Sequence, residues 1–151
     1  MQAFYSHTFM KKKIVIINGP NLNLVGKREP SLYGHTDMSA FIDSLVARYS
    51  SSASITYRQS NVEGELIDFI QQADGCDGIV LNAGGYTHTS VAIADAVAAC
   101  SAPVVEVHIS NILAREELRH VSLLSKSAVG SVIGFGLDGY DIAIKYLIDR
   151  Q

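Results

Sequence analysis

A chain of 151 residues has the usual size of one domain, and 48% hydrophobic residues, 18% charged residues and three prolines exclude a disordered protein and call for a well-packed core. Twelve lysines and arginines against 15 acids give a net charge of −3. With no basic run beyond Lys11, Lys12 and Lys13, that balance speaks against a nucleic-acid partner, which demands a concentrated positive face.

Cys76 and Cys100 stand alone, without metal-ligand spacing, and favour a reducing, cytoplasmic setting. The most apolar window, residues 91–100, is shorter than the ~20 residues of a spanning helix and contains Asp95, so no membrane span is expected. Residues 1–9 precede the basic cluster, the reverse of a secretory signal, and read as a disordered extension ahead of a core running from about residue 14 to 149. One domain over 1–151 is expected.

Apolar runs alternate with helical patterns from Ile14 onward. Residues 14–17 form a continuous β-branched run ending at Asn18, as in a strand buried on both faces. Thr36 or Asp37 can cap a helix in which Phe41, Ile42, Leu45, Val46 and Tyr49 recur every three to four residues. Residues 54–58 predict a second strand, and Ser60 with Glu63 makes a capping-box pattern ahead of Leu66, Ile67, Ile70 and Ala73. A third strand is expected at 78–82 and a third helix at 90–100. A fourth strand at 103–108 precedes a shorter helix around 114–119, and a fifth at 129–133 leads to a last helix capped by Asp138.

Five strands interleaved with helices specify an α/β fold with a parallel sheet and helices on both faces. The flavodoxin-like order 2-1-3-4-5 is the commonest solution at this size. The connection from Gly19 to His35 is oversized, about 17 residues against ~2–6 in a usual βα loop. With Gly26 and Gly34 as hinges, it predicts a mobile lid.

Ligands of open parallel sheets bind beyond the carboxyl ends of the strands, and here those positions are unusually polar. Asn18, Asn21 and Asn23 follow the first strand; Gln59, Ser60 and Asn61 the second; Asn82, Tyr86, Thr87 and His88 the third; His108, Ser110 and Asn111 the fourth. Any one of them is an ordinary turn or cap residue; four clusters at one end are not. The segment GFGLDG at 134–139 matches a dinucleotide fingerprint, but too little chain follows for a second strand and a ribose-binding acid, so a tight turn with close helix packing is expected. Neither a phosphate-binding G-x-x-x-x-G-K-[ST] loop nor a G-x-S-x-G elbow exists, and the five histidines show no metal-ligand spacing.

Acid–base chemistry remains. Glu106 and His108 stand two apart on a strand, hence on one face, and a carboxylate beside an imidazole favours the protonated ring of a general acid. Arg28 and Tyr33 lie five apart in the long loop, where a guanidinium lowers a phenol's pKa towards that of a usable base. The plainer readings are a structural histidine and two surface residues.

Five segments, NGPNLNL (18–24), REPSLYG (28–34), QSNVEG (59–64), NAGGYTHTS (82–90) and EVHISN (106–111), together resemble the type II 3-dehydroquinate dehydratases, over about residues 14–147. The resemblance implies a cofactor-free and metal-free lyase of the shikimate pathway of aromatic amino-acid biosynthesis. Its reaction would be the reversible trans-dehydration of 3-dehydroquinate to 3-dehydroshikimate through an enolate. It implies Tyr33 as base with Arg28 as activating partner, His108 as acid with Glu106 beside it, and Asn21 holding a water on the enolate oxygen. Asn82, His88, Ile109, Ser110 and Arg119 are the implied substrate-binding set, with Asp95 presented to a neighbouring subunit in a dodecamer built as a tetramer of trimers. Val62 and Leu113 depart from frequent family histidines. A Schiff-base dehydratase would instead need a buried lysine, and Lys27, Lys126 and Lys145 read as surface residues.

A nucleotide- or flavin-binding module and a non-catalytic interaction domain are the competing readings, separated by a bound chromophore or by an absence of turnover.

Overall fold

The computed structural model describes residues 10–27, 31 and 36–151. Arg28, Tyr33, the hinge Gly34 and the expected extension at 1–9 lie outside the described residues. Strands β1 (Lys12–Asn18), β2 (Ala53–Gln59), β3 (Gly78–Asn82), β4 (Val104–His108) and β5 (Gly130–Ile133) pair in parallel in the order β2-β1-β3-β4-β5. Helices α1 (Met38–Arg48), α2 (Glu63–Gln72), α3 (Val91–Ala99) and α4 (Asp138–Asp149) carry the connections, so the expected flavodoxin-like architecture holds.

Alternation along the strands divides the core between two layers. Ile14 and Ile16 of β1, Val80 of β3, and Val105 and Val107 of β4 pack against Ile42 and Leu45 of α1 and Ile144 and Leu147 of α4. Ile17, Ile79, Leu81 and Val104 face the other way, onto Leu66 and Ile70 of α2 and Ile93 and Val97 of α3. By the same parity Glu106 and His108 share the α2/α3 side of β4 with Val104, whereas Asn18 and Asn82 turn to the α1/α4 side. Central β3 and β4 are buried throughout and carry Asn82, Glu106 and His108 towards their carboxyl ends.

Helix boundaries are settled by caps, and several differ from expectation. Asp37, not Thr36, caps α1, accepting from the N–H groups of Ser39 at 2.8 Å and Ala40 at 3.3 Å. Ser60 does not form the expected box: α2 starts at Glu63 behind Val62, and Ser60 Oγ accepts from Val62 N–H at 2.9 Å and donates to Glu65. Glu63 accepts from Ser90 instead, the residue that caps α3. Asn61, between Ser60 and Glu63, turns to the loop after β1 and accepts from Asn21 N–H at 3.0 Å. Asp138 is the first residue of α4 rather than its cap, because Gly134 (φ 90°) and Gly136 (φ 60°) make the preceding turn. A Cβ on Gly139 would lie 3.3 Å from Val107 Cγ1, the close helix–sheet approach expected of this segment. The short helix expected around 114–119 is replaced by two 3-10 turns, Ile112–Ala114 and Glu117–Arg119.

The loop after β1 is less free than a lid of its whole length would be. Leu22 and Val25 are buried in the core, and a 3-10 turn spans Leu22–Leu24.

Candidate functional site

At the carboxyl end of β4 the side chain of Glu106 is fully buried, 2.6 Å from His108 Nε2. Three hydroxyls complete its shell. Thr87 donates to Oε1 at 2.5 Å, Ser122 to the same oxygen at 2.7 Å, and Ser131 to Oε2 at 3.1 Å. Ser131 arrives by strand register, since it lies directly opposite Glu106 on β5. Thr87 and Ser122 are brought together by the loop pairing of Leu123 N–H with Thr87 O at 2.9 Å.

Burial alone would push the Glu106 carboxyl up, but the hydrogen bond and charge of His108, helped by Thr87 and Ser122, outweigh it and hold it down at about 2. An ionised Glu106 can only accept, so His108 Nε2 is the donor in this pair. Nδ1 is then the ring atom left to face the cavity that His108 lines.

That cavity, about 130 Å³, opens among the loops after β1, β3 and β4. Asn21, Asn82, His88, His108, Ile109, Ser110 and Arg119 all line it, so seven residues singled out from the sequence converge on one space. His88 donates from Nδ1 to Val121 O at 2.8 Å, and its ring stacks on that of His108 with centroids 6.3 Å apart. Among the described residues, no main-chain acceptor takes the N–H of Ile109 or Ser110. Asn21 adopts a left-handed backbone (φ 68°, ψ −4°), held by its N–H on Asn61 Oδ1 at 3.0 Å. Gln59 braces the same point, donating to Asn61 Oδ1 at 3.2 Å and to Gly19 O at 3.3 Å.

Arg115, which sequence reasoning passed over, lines the cavity beside Arg119. Glu116 joins both, accepting from Arg119 Nε at 2.7 Å and lying 3.8 Å from Arg115 Nε. A second cation four residues from Arg119 beyond a strand end was the available signal. Ser122 and Ser131 gave none, because only the folded register brings them to Glu106.

Asp95 is apart from this space. It stands exposed on α3 with Val91, Ala92, Ala98 and Ala99, a stripe at helical spacing that is apolar but for its one carboxylate. Val62 and Leu113 are likewise exposed, by 56% and 62%.

Five of the six lysines are exposed, and the sixth, Lys12, reaches Arg150 O at the opposite end of β1. None lines the cavity. Among the described residues no three His, Cys, Asp or Glu side chains gather to hold a metal ion, and no helix is long and apolar enough to cross a membrane.

A parallel α/β fold with a carboxylate–imidazole pair at its strand ends, opening on a cavity with two arginines, defines a protein equipped for acid–base chemistry on an anionic ligand. Residues 12–148 match the family described as dehydroquinase class II, and the chain belongs to that family. It is 53% identical over 142 residues to the 3-dehydroquinate dehydratase of Rhodopseudomonas palustris strain BisA53, covering 91% of this chain and 93% of that one. The enzyme of the same name from an Exiguobacterium species is 49% identical over 138 residues, 91% and 95% of the two chains. Among solved structures, the type II dehydroquinase of Butyrivibrio crossotus superposes with a TM-score of 0.88 at 45% identity, covering 91% of this chain and 97% of that one.

Proposed function

We propose that this chain is a type II 3-dehydroquinate dehydratase, a lyase converting 3-dehydroquinate to 3-dehydroshikimate in the cytoplasm. The observation that carries the reading is the Glu106–His108 pair, closed off behind by three hydroxyls and open in front on a cavity with two arginines and no lysine.

The chemistry assigns the roles. A C–H beside a ketone is a very weak acid, so its removal requires a base together with stabilisation of the enolate where charge develops. Tyr33, activated by Arg28, takes that proton. Asn21 holds a water against the enolate oxygen. The electron pair then expels the hydroxyl one carbon further on, which leaves as water with a proton from His108. Glu106 orients that ring by accepting from its Nε2. Ile109 and Ser110 offer their N–H groups to the substrate carboxylate, with Arg119, Asn82 and His88 completing the set. One chain over 1–151 carries the whole site except Asp95.

The product is a conjugated enone, so the test is the rise in ultraviolet absorbance when the pure protein meets 3-dehydroquinate. Turnover is expected without added metal or cofactor, and borohydride added with substrate is expected to leave the mass unchanged. Absent turnover would overturn the assignment; a mass adduct on a lysine would replace the enolate route with an imine.

The exposed stripe on α3 belongs to the same reading. Val91 is 64% exposed, and a face of that composition is stable in water when a second subunit covers it. Asp95 on that face would then reach a neighbour's site within a trimer, four trimers making a dodecamer. Sedimentation is expected to show a large closed particle, and Asp95→Ala to lower kcat/KM by about tenfold through the neighbouring site. A fully active monomer would overturn the assembly.

A further inference from the structure

Resting on that functional reading, we infer that Tyr140, in the first turn of α4, is a positioning residue that sets the side chain of Asn82 so that it presents a hydrogen-bond donor to the substrate. Gly84 N–H can only donate, and it lies 3.1 Å from the Asn82 amide, so the atom facing it is the oxygen Oδ1. The other end of that amide is therefore Nδ2, which donates to Tyr140 Oη at 2.9 Å.

The polarity then propagates. Tyr140 accepts from Asn82 and has one proton of its own to give, which goes to Asn18 Oδ1 at 2.7 Å. Asn18 is left with its Nδ2 towards Tyr57 Oη, 3.3 Å away. Every amide orientation in the chain Asn82, Tyr140, Asn18, Tyr57 thus follows from one obligate donor.

The arrangement is also built into the fold. Asn18 and Asn82 are paired in register as the last residues of β1 and β3, on the α1/α4 side of the sheet. Tyr140 is fully buried beneath them, its ring edge-on to Phe41 with centroids 6.0 Å apart. Burial pushes its phenol well above the ordinary range, so it keeps its proton and the direction of the chain.

For Asn82 the consequence is a two-point hold. Oδ1 is fixed on Gly84 and one Nδ2 hydrogen on Tyr140, which leaves the second Nδ2 hydrogen as the only uncommitted donor of a side chain that lines the cavity. Such a donor matches a substrate oxygen. Without the Tyr140 hydroxyl the amide is held at one end only.

The test is a double-mutant cycle on kcat/KM, normalised to folded protein. Tyr140→Phe keeps the ring and is expected to lower kcat/KM roughly tenfold. In an Asn82→Ala background the same change is expected to cost less than about twofold, because the residue through which Tyr140 acts is already gone. Tyr57→Phe cuts the same network at its far end, beyond the Tyr140–Asn82 contact, and is expected to lower the melting temperature but leave kcat/KM within about twofold.

Equal losses from Tyr140→Phe in both backgrounds, or an equal loss from Tyr57→Phe, would reduce Tyr140 to a structural residue and overturn the inference. Where Tyr140→Phe fails to fold, Asn18→Leu, which removes the acceptor of the Tyr140 proton, is expected to reproduce the loss, and unchanged kcat/KM would overturn it. An inactive wild type would overturn the functional reading itself; an active wild type with an unaffected Tyr140→Phe overturns this inference alone.

Discussion

Replacing His108 by glutamine is expected to lower kcat by a hundredfold to ten-thousandfold, the usual contribution of a positioned proton donor. Glutamine is chosen over alanine because its amide can still donate to Glu106, so the variant separates loss of the acid from loss of the hydrogen bond on Glu106. With alanine the Glu106 carboxylate would stay buried with its hydroxyl donors only, and the resulting destabilisation would mask the chemistry. KM is expected to move little, since the lost interaction belongs to the departing hydroxyl in the transition state. A His108→Gln enzyme within tenfold of wild type would remove His108 from the mechanism.

The same pair predicts an acid limit to stability. In the folded state the Glu106 carboxyl sits at about 2, below its ordinary 4.5, so the fold favours its charged form. Its contribution is therefore complete above about pH 4.5 and is lost as the pH falls from there through about 2. The wild-type melting temperature is expected to fall more steeply across that window than that of Glu106→Gln, and parallel curves would contradict the shift.

How much of this was legible beforehand depended on the range of the interaction. The strands of the central sheet were readable because residues such as 14–17 and 79–81 are apolar on both faces, a pattern that needs no partner to recognise. The convergence of Asn21, Asn82, His88 and His108 followed from the rule that parallel strands end on one side. Capping was less secure. Ser60 and Glu63 have box spacing, yet Ser60 turns to Glu65, another local partner, and Glu63 to Ser90, a tertiary one 27 residues away. Arg115 was missed when a helix was expected where the chain makes two 3-10 turns. In sequence Tyr140 occupies an ordinary apolar position of an amphipathic helix; only its hydroxyl bond to Asn18, 122 residues away, reveals a polar task.

The largest effect is expected from Tyr33→Phe, which should reduce kcat by a thousandfold or more while KM stays within a few-fold of wild type. The described lining of the cavity contains neither carboxylate nor phenol; the titratable side chains there are His88, His108, Arg115 and Arg119. Arginine is no base at neutral pH, and each imidazole, with one nitrogen engaged on Glu106 or Val121 O, keeps only one nitrogen to accept a proton. Glu106 is fully buried behind His108 and takes four donors. On the proposed functional reading the base is Tyr33, five positions in sequence from Arg28, and a phenolate is a stronger base than either imidazole. Phenylalanine preserves the ring and deletes the phenolic oxygen alone. Exchange of the substrate proton beside the ketone with deuterated solvent separates this step from the next. Tyr33→Phe should abolish that exchange, whereas His108→Gln, blocked after the enolate forms, should retain it. Normal exchange in Tyr33→Phe would move the base elsewhere, with the Nε2 atom of His88 the first group to test.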